Sequence, residues 1–331
     1  MNGNFRPVPP RLLVLGDCNP DLVMRGDVEP RFGQAEKLVD AAELTVGGSA
    51  SITACGAARL GVETALIAAV GDDALGRIQL EAVAAAGVDV SNVVVRAGQP
   101  TGVSVVLSTG DATRDRAILT SLGAIGSLRA ADLAAAPALA AVLGASDPDP
   151  ADSSVEHLHV GALFLLDELR PDLPGILAAA RRAGITVSLD TNWDPAGDWR
   201  GAIEPLLPHV DLLLPNLEEA RLLSGKEDPE AACRTLGSHV QTVVVKLGAE
   251  GAIAVRRDQL ERLAAPSVPV VDTTGAGDSF NAGFIAATLD GQPLREALAL
   301  AVVCGSLAVG ASGGTAGQPD LAAARAAASL P

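Results

Sequence analysis

The sequence predicts an α/β fold built on a mostly parallel central sheet, and three observations carry that prediction. Short β-type runs recur along the chain, Ala-rich or amphipathic segments separate them, and the runs are apolar throughout, as strands covered on both faces are. Strands are expected at residues 12–15, 64–70, 158–161, 186–190, 212–214 and 242–247. Strand followed by helix followed by strand packs helices against a sheet. The spacing predicts a helix over 75–86, with Leu75, Ile78, Ala82 and Ala86 on its apolar face and Gly87 ending it. The Ala-rich run 130–141 is ordinary helix former. The uncharged stretch 297–319 turns Gly-rich after Ala311, short of the ~20 residues a membrane span needs, and reads as a buried helix followed by a loop.

Two regions break this rhythm. Residues 20–45 and 92–120 are rich in charge and β-branched side chains, with turn signals at Arg25-Gly26-Asp27 and Thr109-Gly110-Asp111. They predict short antiparallel strands that pair into a small sheet over the ligand edge of the body, where it would act as a lid. The polar, proline-punctuated segment 147–154 reads as a surface loop, because the strand and helix pattern resumes unchanged after it. The whole chain, 1–331, is therefore expected to be one α/β domain with a discontinuous lid, without internal repeats.

Composition narrows the partners. Of 331 residues, 48% are hydrophobic and 19% charged, which is globular and not disordered. Twenty-four Lys and Arg against 40 Asp and Glu give a net charge of −16, which repels a phosphate backbone, and no basic stripe offsets it. Nucleic acid is excluded as an expected partner. Five Phe, two Trp and no Tyr leave an aliphatic core and no aromatic belt for a membrane. Cys18, Cys55, Cys233 and Cys304 are scattered, with no C-x-x-C pair, and the polar, proline-rich start lacks a signal-peptide pattern, so the cytoplasm is the expected compartment.

The chemistry is concentrated in Val271-Asp-Thr-Thr-Gly-Ala-Gly-Asp-Ser-Phe-Asn-Ala-Gly-Phe284, where a small-residue turn opens directly into a helix with Phe280 and Phe284 on one face. Gly275 and Gly277 let backbone approach closely, so the N–H groups of the first helical turn and the positive end of its dipole address an anion. Asp278 stands in that same turn. It is either a plain N-terminal acid or, if the anion is a transferring phosphate, a base that takes the proton from an attacking hydroxyl. Competing phosphate motifs fail: Gly225-Lys226 is followed by Glu227, so there is no Walker sequence, and Phe280 stands where a dinucleotide fingerprint needs its third Gly.

With these residues in view, the stretch resembles the C-terminal signature of the ribokinase-like (PfkB) carbohydrate kinase family, D-T-x-G-A-G-D. Gly47-Gly48-Ser-Ala-Ser-Ile-Thr-Ala-Cys-Gly-Ala-Ala-Arg-Leu-Gly61 resembles its N-terminal signature, and Gly16-Asp-Cys-Asn-Pro-Asp21, Val70-Gly-Asp-Asp-Ala-Leu-Gly76, Pro215-Asn-Leu-Glu-Glu219 and Lys246-Leu-Gly-Ala-Glu-Gly251 match in the same order. The resemblance implies a three-layer ribokinase-like fold and ATP- and Mg²⁺-dependent phosphorylation of a sugar hydroxyl. It implies Asp278 as general base and Gly275, Ala276 and Gly277 as the anion hole. It implies Asn216 and Glu219 as the element that orders Mg²⁺ and the ATP phosphates, Lys246, Gly248 and Gly251 as nucleotide-binding, and Asp272 as the place where some members bind a monovalent cation such as K⁺. On the acceptor side it implies Asp21, Gly47 and Gly48, and it implies pairing of lids in a homodimer.

The family signature usually carries Asn at two places where this chain has Ser49 and Ile52. An amide replaced by Ile removes a donor and an acceptor, which costs a polyol that relies on it ~1–3 kcal/mol. Asn19, Arg116 and Asn192 are candidates to replace that contact, against the plainer readings of turn former, solvated charge and loop cap. Arg116 would suit a carboxylate or phosphate on the acceptor. The first lid region offers only Phe32 as a stacking partner, so a sugar or sugar acid ranks above a nucleoside, and a non-catalytic sugar-binding relative is the third reading. Gly310-Ala-Ser-Gly-Gly314 fits the G-x-S-x-G pattern of hydrolases, yet no His follows His239 to complete a triad. His157 and His159 share one face of a strand without a third ligand at useful spacing, and are expected to be core or interface histidines.

Overall fold

In the computed structural model, which describes residues 10–109, 116–136, 139–140 and 154–330, all six expected strand regions enter one eight-stranded sheet. Its members are β1 (Leu12–Leu15), β4 (Thr64–Ile67), β9 (His157–Val160), β10 (Thr186–Leu189), β11 (Leu212–Leu213), β12 (Thr242–Lys246), β13 (Ala252–Arg256) and β14 (Gln259–Leu263). The order is β14-β13-β12-β11-β10-β9-β1-β4, parallel from β4 to β12, with β13 and β14 added antiparallel at one edge. That edge hairpin is absent from the sequence expectation. It carries Glu261 and Arg262 on its outermost strand, the charged dressing that keeps a sheet edge from pairing further.

Side chains alternate across this sheet into two separate cores. Leu13, Leu15, Leu158, Val160, Val243 and Val245 enter one, and Leu12, Val14, Leu66, Leu212, Leu214 and Val244 enter the other. Helices Leu173–Arg182 and Pro229–Gly237 cover the first face; Ser49–Arg59, Ala276–Leu289 and Leu294–Ala308 cover the second, which makes three layers. Helix Ala276–Leu289 is buried nearly all round, and Gly283 lets it lie directly on the following helix, because a Cβ there would stand 3.0 Å from Ala301 Cα. Among the described residues no helix is long and apolar enough to cross a membrane.

A second sheet, in the order β3-β2-β7-β8, contains β2 (Asn19–Gly26), β3 (Ala41–Gly47), β7 (Val103–Thr109) and β8 (Arg116–Ser121). Its central pair β2–β7 is parallel, not antiparallel as expected, because both strands leave the body in the same direction. The expected boundary at residue 92 is also too early: β6 (Val94–Arg96) pairs with β5 (Ala69–Gly71) in a ribbon of its own, and the run 64–70 breaks between β4 and β5 to reach it.

The helix expected over 75–86 forms as Ala74–Ala85, with Asp73 as its N-cap, but its buried face is Gly76, Gln79 and Val83, and Ile78 points outward. Hydrophobicity alone misphased it. Gln79 earns its burial by donating to Gly47 O and Ser51 Oγ at the base of the second sheet. The Ala-rich helix is described as Ala130–Ala135; its end at 141, the turn at 110–111 and most of the loop 147–154 lie outside the described residues. Stretch 297–319 is the expected buried helix followed by a loop.

Candidate active site

Parallel strands deliver their carboxyl ends, and the residues after them, to one edge of the sheet, where ligands of open α/β folds bind. Here β1 delivers Asp17, β10 delivers Asp190, β11 delivers Asn216 and β12 ends on Lys246. Lys246 Nζ lies 2.7 Å from Asp190 Oδ2 and 3.3 Å from Asn281 Oδ1, and the Asn281 amide donates to Asp190 in turn. Burial would raise Asp190, but the Lys246 charge holds its carboxyl below the ordinary range; burial would lower Lys246, but Asp190 and Glu219 raise it. The strand-end acids Asp17 and Asp190 and the helical Asn281 were not picked out in the sequence. Their place at or just beyond the ends of expected strands, and for Asn281 one turn beyond Asp278, was the available signal.

Helix Ala276–Leu289 begins at Gly275, whose φ of 72° is left-handed, and no side chain caps it. A Cβ at Gly275 would come within 2.6 Å of Gly314 Cα, so only glycine fits both the conformation and the contact. Ile52, which occupies the second departure from the Asn pattern, packs its side chain against Gly314 and is 2% exposed. It braces this backbone junction.

Asp278, in the first turn, accepts a hydrogen bond from the Ser49 hydroxyl. Burial, then the charge of Asp190, pushes its carboxyl up to about 7, against the pull of Ser49 and Lys246. Asp17 positions Ser49: its two carboxylate oxygens accept the Ser49 and Ala50 N–H groups at 3.1 and 2.8 Å and so cap helix Ser49–Arg59.

Opposite this turn, the second sheet presents a polar wall. Asn19 Nδ2 donates to Asp21 Oδ1 at 3.3 Å and to Ser104 Oγ at 3.2 Å, while Asn19 Oδ1 is buried with no partner. Burial, then the charges of Asp17 and Asp278, pushes Asp21 up to about 7, and the Arg116 guanidinium on β8 pulls it back. Gly47 lies against the Asp21 carboxylate so closely that a Cβ would overlap it, and Gly48 adopts a φ of 80°. The wall therefore gathers Asn19, Asp21, Gly47, Gly48 and Ser49 from the expected set and adds Ser104, which the sequence did not single out.

Asn216 and Glu219 form a capping box at the start of helix Leu217–Ser224. The Asn216 amide oxygen accepts the Glu219 N–H at 2.9 Å, and the Glu219 carboxylate accepts the Asn216 N–H at 2.9 Å and its Nδ2 at 2.7 Å. Glu219 is buried, not a surface acid, and burial with the charge of Asp190 pushes it up to about 7. Hard oxygen donors and an excess of buried negative charge fit Mg²⁺, which keeps water and phosphate oxygens in its shell and needs few protein ligands.

Asp272, the residue expected to border a monovalent cation, is held by donors of the protein itself. Its Oδ1 accepts the Thr274 N–H at 2.9 Å, and its Oδ2 accepts the Gly313 N–H and an Arg25 Nη2 donor, both at 2.9 Å. Burial would raise this carboxyl, but those donors hold it below the ordinary range. Among the other expected residues, Gly248 and Gly251 have φ of 58° and 92° in the turn after β12, and Asn192 stands in a left-handed turn with its N–H on Asp190 Oδ1. His157 and His159 are core residues: His157 bonds Thr186 and Ser188, His159 bonds Ser188, and burial pushes their imidazoles down to about 3 and about 4.

The chain as a whole is similar to known proteins. The sequence model described as "pfkB family carbohydrate kinase" matches residues 10–321. The chain is 31% identical to a fructokinase of Klebsiella pneumoniae over 323 residues, covering 93% of this chain and 96% of that one. It is 34% identical over 291 residues to a 2-dehydro-3-deoxygluconokinase of Thermoproteus tenax, covering 84% and 83%. The solved structure of Arabidopsis thaliana ribokinase complexed with ribose and ATP superposes with a TM-score of 0.78 at 25% identity, covering 98% of this chain and all of that one.

Proposed function

The chain belongs to the pfkB family of carbohydrate kinases, and from that premise we propose that it transfers the γ-phosphoryl group of ATP to a hydroxyl of a small sugar or sugar acid. One observation carries the reading: Asp278, a half-buried carboxylate pushed up to about 7, stands in the first turn of an uncapped helix and faces a wall that holds Asn19 and Asp21. The acceptor lies on that wall. Asp21 and the unpartnered Asn19 Oδ1 accept its hydroxyl protons, and Gly47 and Gly48 give it backbone to lie against.

Asp278 takes the proton of the reacting hydroxyl as its oxygen bonds to the γ-phosphorus, and the bond from phosphorus to the ADP oxygen breaks. The N–H groups of the Gly275–Asp278 turn and the Lys246 ammonium receive the charge that spreads over the transferring oxygens. Mg²⁺, bound with ATP, supplies charge neutralisation on the phosphates; Asn216 and Glu219 are the residues that would order it. Lys246, Gly248 and Gly251 border the nucleotide. Closure of the small sheet, as a discontinuous lid on one body, keeps water from the γ-phosphate. Exposed Leu44, Ile118 and Leu119 on that sheet support pairing of two chains through it, which sedimentation reads directly. The cytoplasm is the compartment we expect. The sparse aromatics of the small sheet favour a sugar over a nucleoside, and a retained general base argues against a pure binder.

The test is ADP release from Mg·ATP across pentoses, hexoses, ketoses, deoxy sugar acids, inositols and nucleosides. Acceptor-dependent release with a sugar or sugar acid supports the reading; release only with nucleosides, or ligand binding without release, overturns it. The pH profile is a second expected result. A base is active when deprotonated, so kcat/KM for the acceptor rises about tenfold per pH unit below the pKa near 7 of Asp278 and levels off above it. A rate that is flat from pH 5 to 8, about two pKa widths around that value, would remove Asp278 from the role.

A further inference from the structure

We propose that the guanidinium of Arg25 is a built-in cation of this chain, standing at Asp272 in place of an exchangeable monovalent ion and tying the acceptor-binding strand to the anion turn. The proposal rests on the kinase reading for its catalytic part and on geometry for the rest.

Arg25 Nη2 lies 2.9 Å from Asp272 Oδ2 and donates to Ser312 Oγ, while Nη1 lies 3.5 Å from Glu43 Oε2, and the Ser312 hydroxyl donates to Glu43. The Asp272 side chain is 4% exposed, so this is a sheltered, charge-assisted contact and not a loose surface pair. With the Thr274 N–H on Oδ1 and the Gly313 N–H beside the guanidinium on Oδ2, the carboxylate already accepts three donors of the protein. A potassium ion brought to Asp272 would have to displace a permanent positive charge or stand beside it.

The consequence lies in what the guanidinium connects. Asp272 precedes Gly275 by three residues, and Ser312 and Gly313 lead into Gly314, the backbone against which Gly275 packs. Arg25 therefore holds both walls of the anion turn. It does so from β2, where Asp21 stands four residues earlier on the same face of the strand. Acceptor wall and cation are one rigid strand, so seating the small sheet also seats the charge. Arg25 is thus a positioning residue: it acts on the transferring phosphate through the turn it holds.

The experiment compares the full-length protein, Arg25→Ala and Arg25→Lys in KCl and in tetramethylammonium chloride at equal ionic strength, reading thermal unfolding and ADP release. For the wild type, both readings are expected to change by less than about twofold in rate, or not at all in midpoint, between the two salts. Arg25→Ala is expected to lose about tenfold or more in kcat with a lowered midpoint in tetramethylammonium, and to recover part of both with potassium or guanidinium ions. Arg25→Lys keeps the charge and stays near the wild type. A wild-type midpoint or rate that rises strongly with potassium, or an Arg25→Ala protein indistinguishable from wild type in both salts, overturns the proposal. Should Arg25→Ala not fold, the wild-type titration and Arg25→Lys still decide it. If no acceptor supports turnover, the kinase reading fails, while the unfolding measurements still test the cation.

Discussion

Asp278→Asn is expected to lower kcat by about 10³-fold, within the range that a positioned general base contributes, while leaving the binding of Mg·ATP nearly unchanged. Asn fills the same space and still accepts from the Ser49 hydroxyl, so the anion turn stays in place. Stability should move the other way. The folded-state carboxyl sits at about 7, above its ordinary value of 3.8, so the fold disfavours the ionised form. Stability from this group is fully present below the ordinary value and is lost as pH rises through the folded one. At pH 8 the wild type bears that cost and the Asn variant does not, so its unfolding midpoint should match or exceed wild type by a few degrees. A variant with near-normal turnover would exclude Asp278 as the base. A variant with a much lower midpoint would show instead that the carboxylate has a structural role.

The periodicity of the chain was enough to place the parallel sheet, because strands buried on both faces must be continuously apolar, and runs such as Val243 to Val245 admit little else. It failed where burial was bought with polar contacts. Gln79 turned the helix Ala74–Ala85 by burying an amide against Gly47 and Ser51, which no hydropathy pattern records. The backbone turn at Gly275 was legible because glycine spacing reports backbone conformation directly, and Gly275 has a left-handed φ. Asp17 and Asp190 were legible only through the rule that strand ends converge. Arg25 was not legible at all: it lies 247 residues from Asp272, and an arginine in an expected lid strand looks like a solvated charge. The same distance hid the service of Ile52, which reads as a lost amide in sequence and as a brace for Gly314 in space.

Lys246→Met is expected to show the largest loss of stability. The ammonium lies between Asp190 and Asn281, and the charges of Glu219 and Asp278 also reach it. Methionine matches much of its volume but leaves the Asp190 carboxylate, 3% exposed, without its cation. Removing one partner of a buried pair costs about 3–5 kcal/mol, which at this size lowers the unfolding midpoint by roughly 5 °C. Asp190→Asn in the same chain removes the orphaned charge, so the double variant should regain much of that midpoint, the coupling expected of neighbours. Turnover should not return with it. Lys246 Nζ would lie 3.6 Å from a Cβ built at Gly277, beside the turn proposed to receive the γ-phosphoryl oxygens, and methionine offers no charge there. Recovery of both midpoint and turnover in the double variant would make Lys246 a counter-ion for Asp190 and nothing more. Recovery of the midpoint alone separates its two tasks, holding the strand ends together and meeting the transferred charge.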